Sequence, residues 1–301
     1  LARTEKEKDS ITALVASQQA LGLNLSLLSR PEDIQAIAPQ VSAKVLAASF
    51  CPTDGHADPK AAVAAYQQAA ERNGAVFSCG ESVEAITITK GRLQKISTTK
   101  RTIHSGQCLL ACGVGVTDLT RSLGLKLPIS MALATVVQTR SVRASLKPVI
   151  GVADGGITLR QERDGRFRLS SGARFKNCGT IEVQGRPVAK TSIQDVNQVL
   201  AASLEICPEL DQLPMESFWG GLIDMTPDGL PFLGEVSNAQ GVFIGAGFSG
   251  HGFGIAPASA HILSTLMTGQ SPGLAYGAFG VERFEGQTNP TEGTTRATLH
   301  G

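Results

Sequence analysis

Apolar and polar residues alternate with two different periods along this chain, and the changes of period mark its elements. Residues 10–22 (SITALVASQQALG) repeat at the helical period and close on Gly22. A second short helix is predicted from Pro31, with Ser29 in its N-cap region and Pro39 just past its end. VSAKVLAASF (41–50) reads as a strand, and the turn-rich CPTDGHADPK follows. Asp58 caps a helix with Pro59 at its first position, running to Gly74. AVFSCG (75–80) is predicted to be a buried strand. Residues 82–113 alternate around Lys90-Gly91, the pattern of a hairpin or meander, and end in the apolar strand QCLLACG, a Gly113-Val-Gly115 turn and the short helix TDLTRSLG.

From 127 to 234 the pattern changes to strands of period two. LATVVQTR, PVIGVAD, GITLRQERDGRFRLSSG and the stretch near IEVQG are joined in part by Asp-Gly turns at 154–155 and 164–165. One amphipathic helix, 191–207, lies among them and stops at Pro208. This predicts a mostly antiparallel sheet with a helix packed on it. The polar tail 285–301 is predicted to be disordered.

The segment richest in chemistry is 241–269. An apolar run, Val242-Phe243-Ile244, enters a loop with glycines at 245, 247, 250, 252 and 254, then a helix-length segment ending at Gly269. Strand, glycine loop and helix bring bare N–H groups and a helix N-terminus up to an anionic or electron-rich ligand. Gly245-Ala-Gly247-Phe-Ser-Gly250 fits G-x-G-x-x-G, but a dinucleotide fingerprint also needs a second strand and an acid about 20 residues on. No second buried strand follows, and the next acid, Glu282, is too distant. The motif therefore reads as the last strand–loop–helix of a nucleotide domain.

Composition narrows the function. A net charge of +1 over 301 residues argues against a polyanionic partner, and 5% aromatic content against base-stacking platforms. No apolar run reaches the ~18 residues of a membrane span. The charged opening LARTEKEKDS has neither a signal-peptide pattern nor an initiating Met, so residue 1 is not expected to be the native start. Cysteines 51, 79, 108, 112, 178 and 207 are scattered without zinc spacing, as are the five histidines. They read as reduced core thiols of a cytoplasmic protein.

Four segments together resemble the FAD-dependent amino-acid oxidase superfamily, which includes D-amino-acid oxidase, glycine oxidase, sarcosine oxidase and D-amino-acid dehydrogenase. They are Asp58-Pro59 with its helix, Gly74-Ala75 and Val83; CLLACGVGVTDLTRSLGLKLPI; the run Phe218-Trp219-Gly220-Gly221 through Asp224, Thr226-Pro227-Asp228-Gly229, Pro231 and Gly234; and GFSGHGFGIAP with Glu282-Arg283-Phe284. The resemblance implies a mixed α+β and α/β, two-domain flavin amine-oxidase fold. A partial nucleotide-binding domain (57–124 and 233–301) would stand beside a substrate domain (1–56 and 125–232) with a mostly antiparallel sheet and packed helices. The family's opening strand, G-x-G-x-x-G turn, helix and ribose-binding acid are not in this sequence. A βαβ unit of ~30 residues or more is therefore expected from a partner chain or from residues outside this sequence.

By resemblance, FAD would meet Gly247, Phe248, Ser249, Gly250, His251, Gly252, Phe253 and Gly254 on its pyrimidine side, and Val83 and Gly113 on its adenine and pyrophosphate side. The implied reaction is oxidation of a C–N bond in an amino acid or N-alkyl amino acid. The alternative is a non-catalytic or assembly subunit of a heteromeric amine dehydrogenase that has lost its ADP-binding half. His251 is the candidate catalytic residue, or else braces the loop. The expected carboxylate-binding Arg after "W-x-G" is replaced by Leu222-Ile223-Asp224, as in sarcosine-oxidase β subunits. Arg140, Arg160 and Arg174 lie on substrate-domain strands and are candidates for that cation, and Asp224 either meets a substrate amine or caps a turn. Trp219 is expected in the core and Asp228-Gly229 in a structural turn.

Overall fold

The computed structural model describes residues 1–143, 145–175, 179–183 and 186–285. The polar tail from 286 on and Cys178 lie outside them. Among the described residues the chain forms two compact units: 1–58 with 133–222, and 59–132 with 223–285. The crossings fall at 58/59, 132/133 and 222/223, where the sequence places them at 56/57, 124/125 and 232/233.

In chain order the first unit opens with α1 (Glu5–Ala20), β1 (Ser26–Leu28), α2 (Pro31–Ile37) and β2 (Ala48–Phe50). The second then contributes α3 (Pro59–Arg72), β3 (Val83–Thr89), β4 (Arg92–Thr98), β5 (Thr102–Ile103), β6 (Cys108–Leu110) and α4 (Val116–Arg121). The chain returns to the first unit through β7 (Ser130–Thr139), β8 (Ile150–Gly151), β9 (Ile157–Gln161), β10 (Phe167–Ser171), β11 (Thr180–Val183), β12 (Arg186–Ala189), α5 (Ile193–Ile206) and β13 (Met215–Met225). It ends in the second with β14 (Phe232–Glu235), β15 (Val242–Ala246) and α6 (Gly252–Met267).

The first unit is built on a sheet in the order β13-β7-β10-β9-β8, with antiparallel ribbons β1-β2 and β11-β12. Along β9 and β10 the pleat alternates as the period-two pattern requires. Ile157, Leu159, Phe167 and Leu169 point into a core closed by Val196, Val199 and Ile206 of α5. The Asp164-Gly165 turn is where the sequence puts it, and it sets Arg160 directly across from Arg168.

Helix α5 starts where it does because of a reciprocal cap. The Asp195 N–H donates to Ser192 Oγ (3.2 Å), and the Ser192 N–H donates to Asp195 Oδ2 (2.8 Å). Burial opposes ionisation of Asp195, but the Ser192 hydrogen bonds and the Arg174 guanidinium outweigh it and hold the carboxyl below the usual range. Ser192→Ala is expected to cost about 1 kcal/mol of unfolding free energy, read from the urea midpoint.

The second unit holds the meander β3-β4-β5 and a sheet in the order β14-β15-β6. β15 runs antiparallel to β14 and parallel to β6. Ile244, Val242, Phe232, Leu110 and Val116 form its core, and Leu233 with Ile262 and Leu263 seats α6.

Three sequence expectations are corrected here. Residues 75–80 form no strand: Val76 is 89% exposed and no described strand pairs with them. A wholly apolar strand needs neighbours on both edges and cover on both faces, and the described chain supplies neither. Of the run 41–50, only 48–50 is strand. The described cysteines are not a core set, since Cys79 and Cys112 are exposed and, among the described residues, only Cys207 is buried. Burial pushes the Cys207 thiol up to about 12, and it raises Cys108 and Cys112 as well, so none of these three has thiolate character.

Candidate functional site: a braced glycine loop

The parallel register of β6 and β15 sets the geometry. Cys108 lies opposite Val242 and Leu110 opposite Ile244, so the turn at Gly113 and the loop after Ala246 leave from the same, carboxyl edge of the sheet. That edge is where open α/β sheets bind ligands. Gly113 takes φ +54° in the turn before α4, and Val83, at the start of β3, is 42% exposed.

The loop is held in place by the end of β13. The Gly247 N–H donates to Asp224 Oδ2 (2.6 Å), and the Ser249 N–H donates to the Asp224 carbonyl (3.0 Å). Ser249 Oγ accepts from the Thr226 N–H (3.0 Å) and pairs with Thr226 Oγ1 (3.1 Å), which also donates to the Leu230 carbonyl (2.9 Å). Ser249 is buried and takes φ +53°, a conformation that L residues other than Gly rarely adopt. Five hydrogen bonds within buried or half-buried surroundings offset that strain. Gly247 takes φ +74°, and a Cβ there would stand 2.6 Å from Thr226 Cγ2 and 3.2 Å from Phe232 Cδ2. Both the conformation and the space exclude a side chain.

Beyond the brace the loop opens. His251 is the N-cap of α6, but its side chain makes no capping bond to the helix; its N–H donates to the Phe248 carbonyl (2.9 Å) and its carbonyl accepts from Ile255. The N–H groups of Gly252, Phe253 and Gly254 therefore find no acceptor among the described residues, as the first turn of a helix dictates. Phe253 and Ile255 are exposed around them, and nothing lies within 4 Å of a Cβ built at Gly250 or Gly254. The result is an open helix N-terminus with several donors and the positive end of a dipole.

A second brace closes the Thr226–Gly234 segment. Arg283 donates through Nε to Asp228 Oδ2 (2.8 Å) and through Nη2 to Asp228 Oδ1 (3.0 Å) and the Leu230 carbonyl (2.6 Å). Its guanidinium carbon sits 4.0 Å from the Phe232 ring centre and 4.7 Å from that of Phe284. Glu282 Oε1 accepts from the Ser237 N–H (2.9 Å). The run 224–234, the loop 245–254 and 282–284, separate in the sequence, thus form one hydrogen-bonded assembly.

On the first unit, Arg174 is held by Asp195 (2.6 Å) and Gln198 of α5. Arg160 and Arg168 share one carboxylate, Glu162, at 3.0 and 3.2 Å. The Arg168 guanidinium lies 5.5 Å from the Trp219 ring centre. Trp219, expected in the core, is over a third exposed. The sequence reading passed over Arg168, although residues 160 and 168 stand equally far from Asp164 in the hairpin. It also passed over Thr226 and Ser249 as partners, since nothing in their spacing announces a contact.

A strand–glycine loop–helix at the carboxyl edge of a partly parallel sheet defines a nucleotide-cofactor protein. The chain belongs to the FAD dependent oxidoreductase family, whose model matches residues 1–266. It is similar to the D-amino acid dehydrogenase of Cereibacter sphaeroides, 31% identical over 216 residues, which are 71% of this chain and 47% of that protein. It is also similar to the glycine oxidase of Pseudomonas putida, 29% identical over 61% of this chain and 47% of that protein. The chain thus spans about half the length of these relatives. The L-proline dehydrogenase of P. horikoshii shares its fold with a TM-score of 0.83 and 25% identity, covering 95% of this chain and 75% of the other. The expected mixed, two-domain flavin amine-oxidase fold is the one found.

The open N–H donors of residues 252–254 have the chemistry that an electron-rich ring edge such as a flavin's requires. The fit does not extend to the other end of FAD: after β6 the described residues offer the Gly113 turn and no glycine fingerprint leading into a long helix. No helix among the described residues is long and apolar enough to cross a membrane, and no cluster of metal-ligand side chains occurs among them.

Proposed function

We propose that this chain takes part in FAD-dependent oxidation of the C–N bond of an amino acid or N-alkyl amino acid. The observation that carries this reading is the loop 247–254, braced by Asp224, Thr226 and Ser249 and leaving the Gly252, Phe253 and Gly254 N–H groups open at the start of α6. A bound flavin would supply the two-electron acceptor for the substrate's hydride, and the imine left behind would hydrolyse to an oxo compound and an amine. Backbone donors at a helix N-terminus stabilise negative charge, so these residues would favour the reduced, anionic cofactor. The bonds from Asp224 and Thr226 order the loop that presents them, and that preorganisation would be the chain's contribution.

In this reading Gly247 to Gly254 hold the flavin pyrimidine end, and Val83 with Gly113 the adenine and pyrophosphate end. Asp224 acts as a positioning residue, because its carboxylate is engaged by the Gly247 N–H. His251, at the mouth of the helix, is the candidate to touch flavin or substrate. Of the cations, Arg160 together with Arg168 is the better candidate for a substrate carboxylate, since two guanidinium groups share a single Glu162. Arg174 is committed to the α5 cap. The missing adenosine-binding unit would come from residues outside this sequence or from a partner chain. The exposure of α3, which buries no residue, and of 75–80 supports a further covering element.

The test is the visible spectrum of the purified protein with added FAD, followed by anaerobic addition of N-methyl and D-amino acids. Flavin bands that bleach with substrate are expected once the adenosine-binding unit is present. A colourless protein in its full assembly would sink the catalytic reading and favour the assembly-subunit alternative. Asp224→Ala should weaken flavin binding about tenfold, the effect of freeing one buried N–H in a loop that must stay ordered.

A further inference from the structure

Two guanidinium groups sit side by side within the five-stranded sheet with one carboxylate between them. Arg160 on β9 and Arg168 on β10 are direct cross-strand partners, and β10 is an interior strand with β7 on its other side. Their neighbours Leu159, Phe167 and Leu169 point into the core, so the pleat puts both arginines on the opposite face. The Cβ atoms of such a pair lie about 5 Å apart, and like charges there repel. Elsewhere in the same hairpin the ratio is reversed: Arg166 is held by two carboxylates, Asp164 (2.6 Å) and Glu216 (2.7 Å).

Glu162 relieves the repulsion incompletely. Its Oε1 accepts from Arg160 Nε (3.0 Å). The same oxygen lies 3.2 Å from Arg168 Nε, but in a geometry that makes no hydrogen bond, and that buried Nε has no other partner among the described residues. The Nη groups of Arg160 make no hydrogen bond to a described residue, and Arg168 Nη2 reaches Gln138 Oε1 only at 3.5 Å. One tethered oxygen therefore serves two forks, each of which can bind two oxygens. Both arginine side chains are 25% exposed, which leaves them within reach of a solute.

We propose that Glu162 is a resident counter-ion: it occupies, on Arg160 and Arg168, the place of an external carboxylate, and its displacement sets how tightly that carboxylate binds. The chain's own carboxylate names the ligand chemistry. An untethered carboxylate can place one oxygen on each guanidinium, which Glu162 does not, and it gains that geometry against the cost of removing a bound charge. The inference rests on the reading of Arg160 and Arg168 as a carboxylate site. It needs nothing from the flavin loop, since all of these residues lie in the first unit.

Trp219 reports on the pair: it is the one tryptophan of the chain, and the Arg168 guanidinium lies 5.5 Å from its ring centre. The experiment is titration of indole fluorescence with sodium acetate, against sodium chloride at equal ionic strength, in the wild-type protein, Glu162→Gln and Arg160→Gln. The wild-type protein should respond saturably to acetate and not to chloride. Glu162→Gln should bind acetate about tenfold more tightly, the gain from removing one competing charged contact. Arg160→Gln should lose the saturable response. Because Glu162→Gln leaves two like charges opposed, its urea midpoint should fall without acetate and recover with it, by more than the wild-type midpoint rises. Equal or weaker acetate binding in Glu162→Gln overturns the proposal and leaves the carboxylate site standing, with Glu162 a structural ion pair. A Glu162→Gln protein that is unfolded both with and without acetate overturns it as well. So does an equal response to chloride, which is screening alone. No acetate response in any of the three proteins removes both this proposal and the assignment of Arg160 and Arg168 to a substrate carboxylate, whatever the visible spectrum shows.

Discussion

Gly247→Ala is expected to destabilise the second unit by about 2–5 kcal/mol and to abolish flavin binding. Two costs add. An L residue held in the left-handed region loses roughly 1–2 kcal/mol. A methyl forced 2.6 Å from Thr226 Cγ2 and 3.2 Å from a Phe232 ring carbon costs about 1–3 kcal/mol more. Relief would need the loop to move away from Thr226, and that movement breaks the Gly247–Asp224 and Ser249–Thr226 hydrogen bonds. Gly250→Ala supplies the control. Its φ is +89° but nothing lies within 4 Å of the added carbon, so only the conformational cost of roughly 1–2 kcal/mol applies. Urea unfolding of the two variants separates strain from collision. Equal losses would mean that Thr226 and Phe232 yield without resistance, and that the loop is not braced as described.

The legible part of this molecule was what repeats locally. The meander around Lys90-Gly91, the Asp164-Gly165 hairpin and helix α5 with its Ser192 start each follow from a short-range pattern in which propensity, turn chemistry and burial agree. The glycine loop was legible too, because five glycines between a strand and a helix have few uses. What the loop rests on was not. Asp224 lies 23 residues before Gly247 and Asp228 lies 55 before Arg283, and such contacts leave no periodic trace. Their residue types mislead as well: an Asp near a glycine loop suggests substrate, and here its carboxylate binds a backbone N–H. The segment 75–80 failed for the opposite reason. Its apolar run carries a strand's pattern, but a strand is a property of pairs, and its partner is not among the described residues.

The same distinction between pattern and partner makes Arg283 a position outside the loop where a single truncation should be costly. Its guanidinium serves the Asp228 carboxylate and the carbonyls of Leu230, Pro231 and Gly280, and it lies against two aromatic rings. Arg283→Ala takes the guanidinium from all of these, although Asp228 keeps the Leu230 N–H (3.0 Å) and the Leu230 carbonyl keeps Thr226 Oγ1 (2.9 Å). Breaking a fully buried pair costs about 3–5 kcal/mol; Asp228 is a third exposed, so solvent recovers part, and about 2–4 kcal/mol is expected. Arg283→Lys should restore little, since one ammonium cannot reproduce a planar fork.

The pH dependence tests the same contact from the other side. Burial opposes ionisation of Asp228, but the hydrogen bonds from Arg283 and the Leu230 N–H prevail and hold its carboxyl below the ordinary value. A carboxylate with a depressed folded value contributes stability that is full above the unfolded value, about 3.9, and is lost as pH falls through the folded one. Urea midpoints from pH 6 to pH 2 should therefore be flat for this group above about pH 5 and fall below about pH 4. In Asp228→Asn the protein should be weaker at pH 6 and lose less on acidification, because the group that titrates is gone. Parallel acid limbs in the two proteins would show that Asp228 is not held by Arg283 in solution, and the brace on the Thr226–Gly234 segment would then have to lie in the aromatic contacts alone.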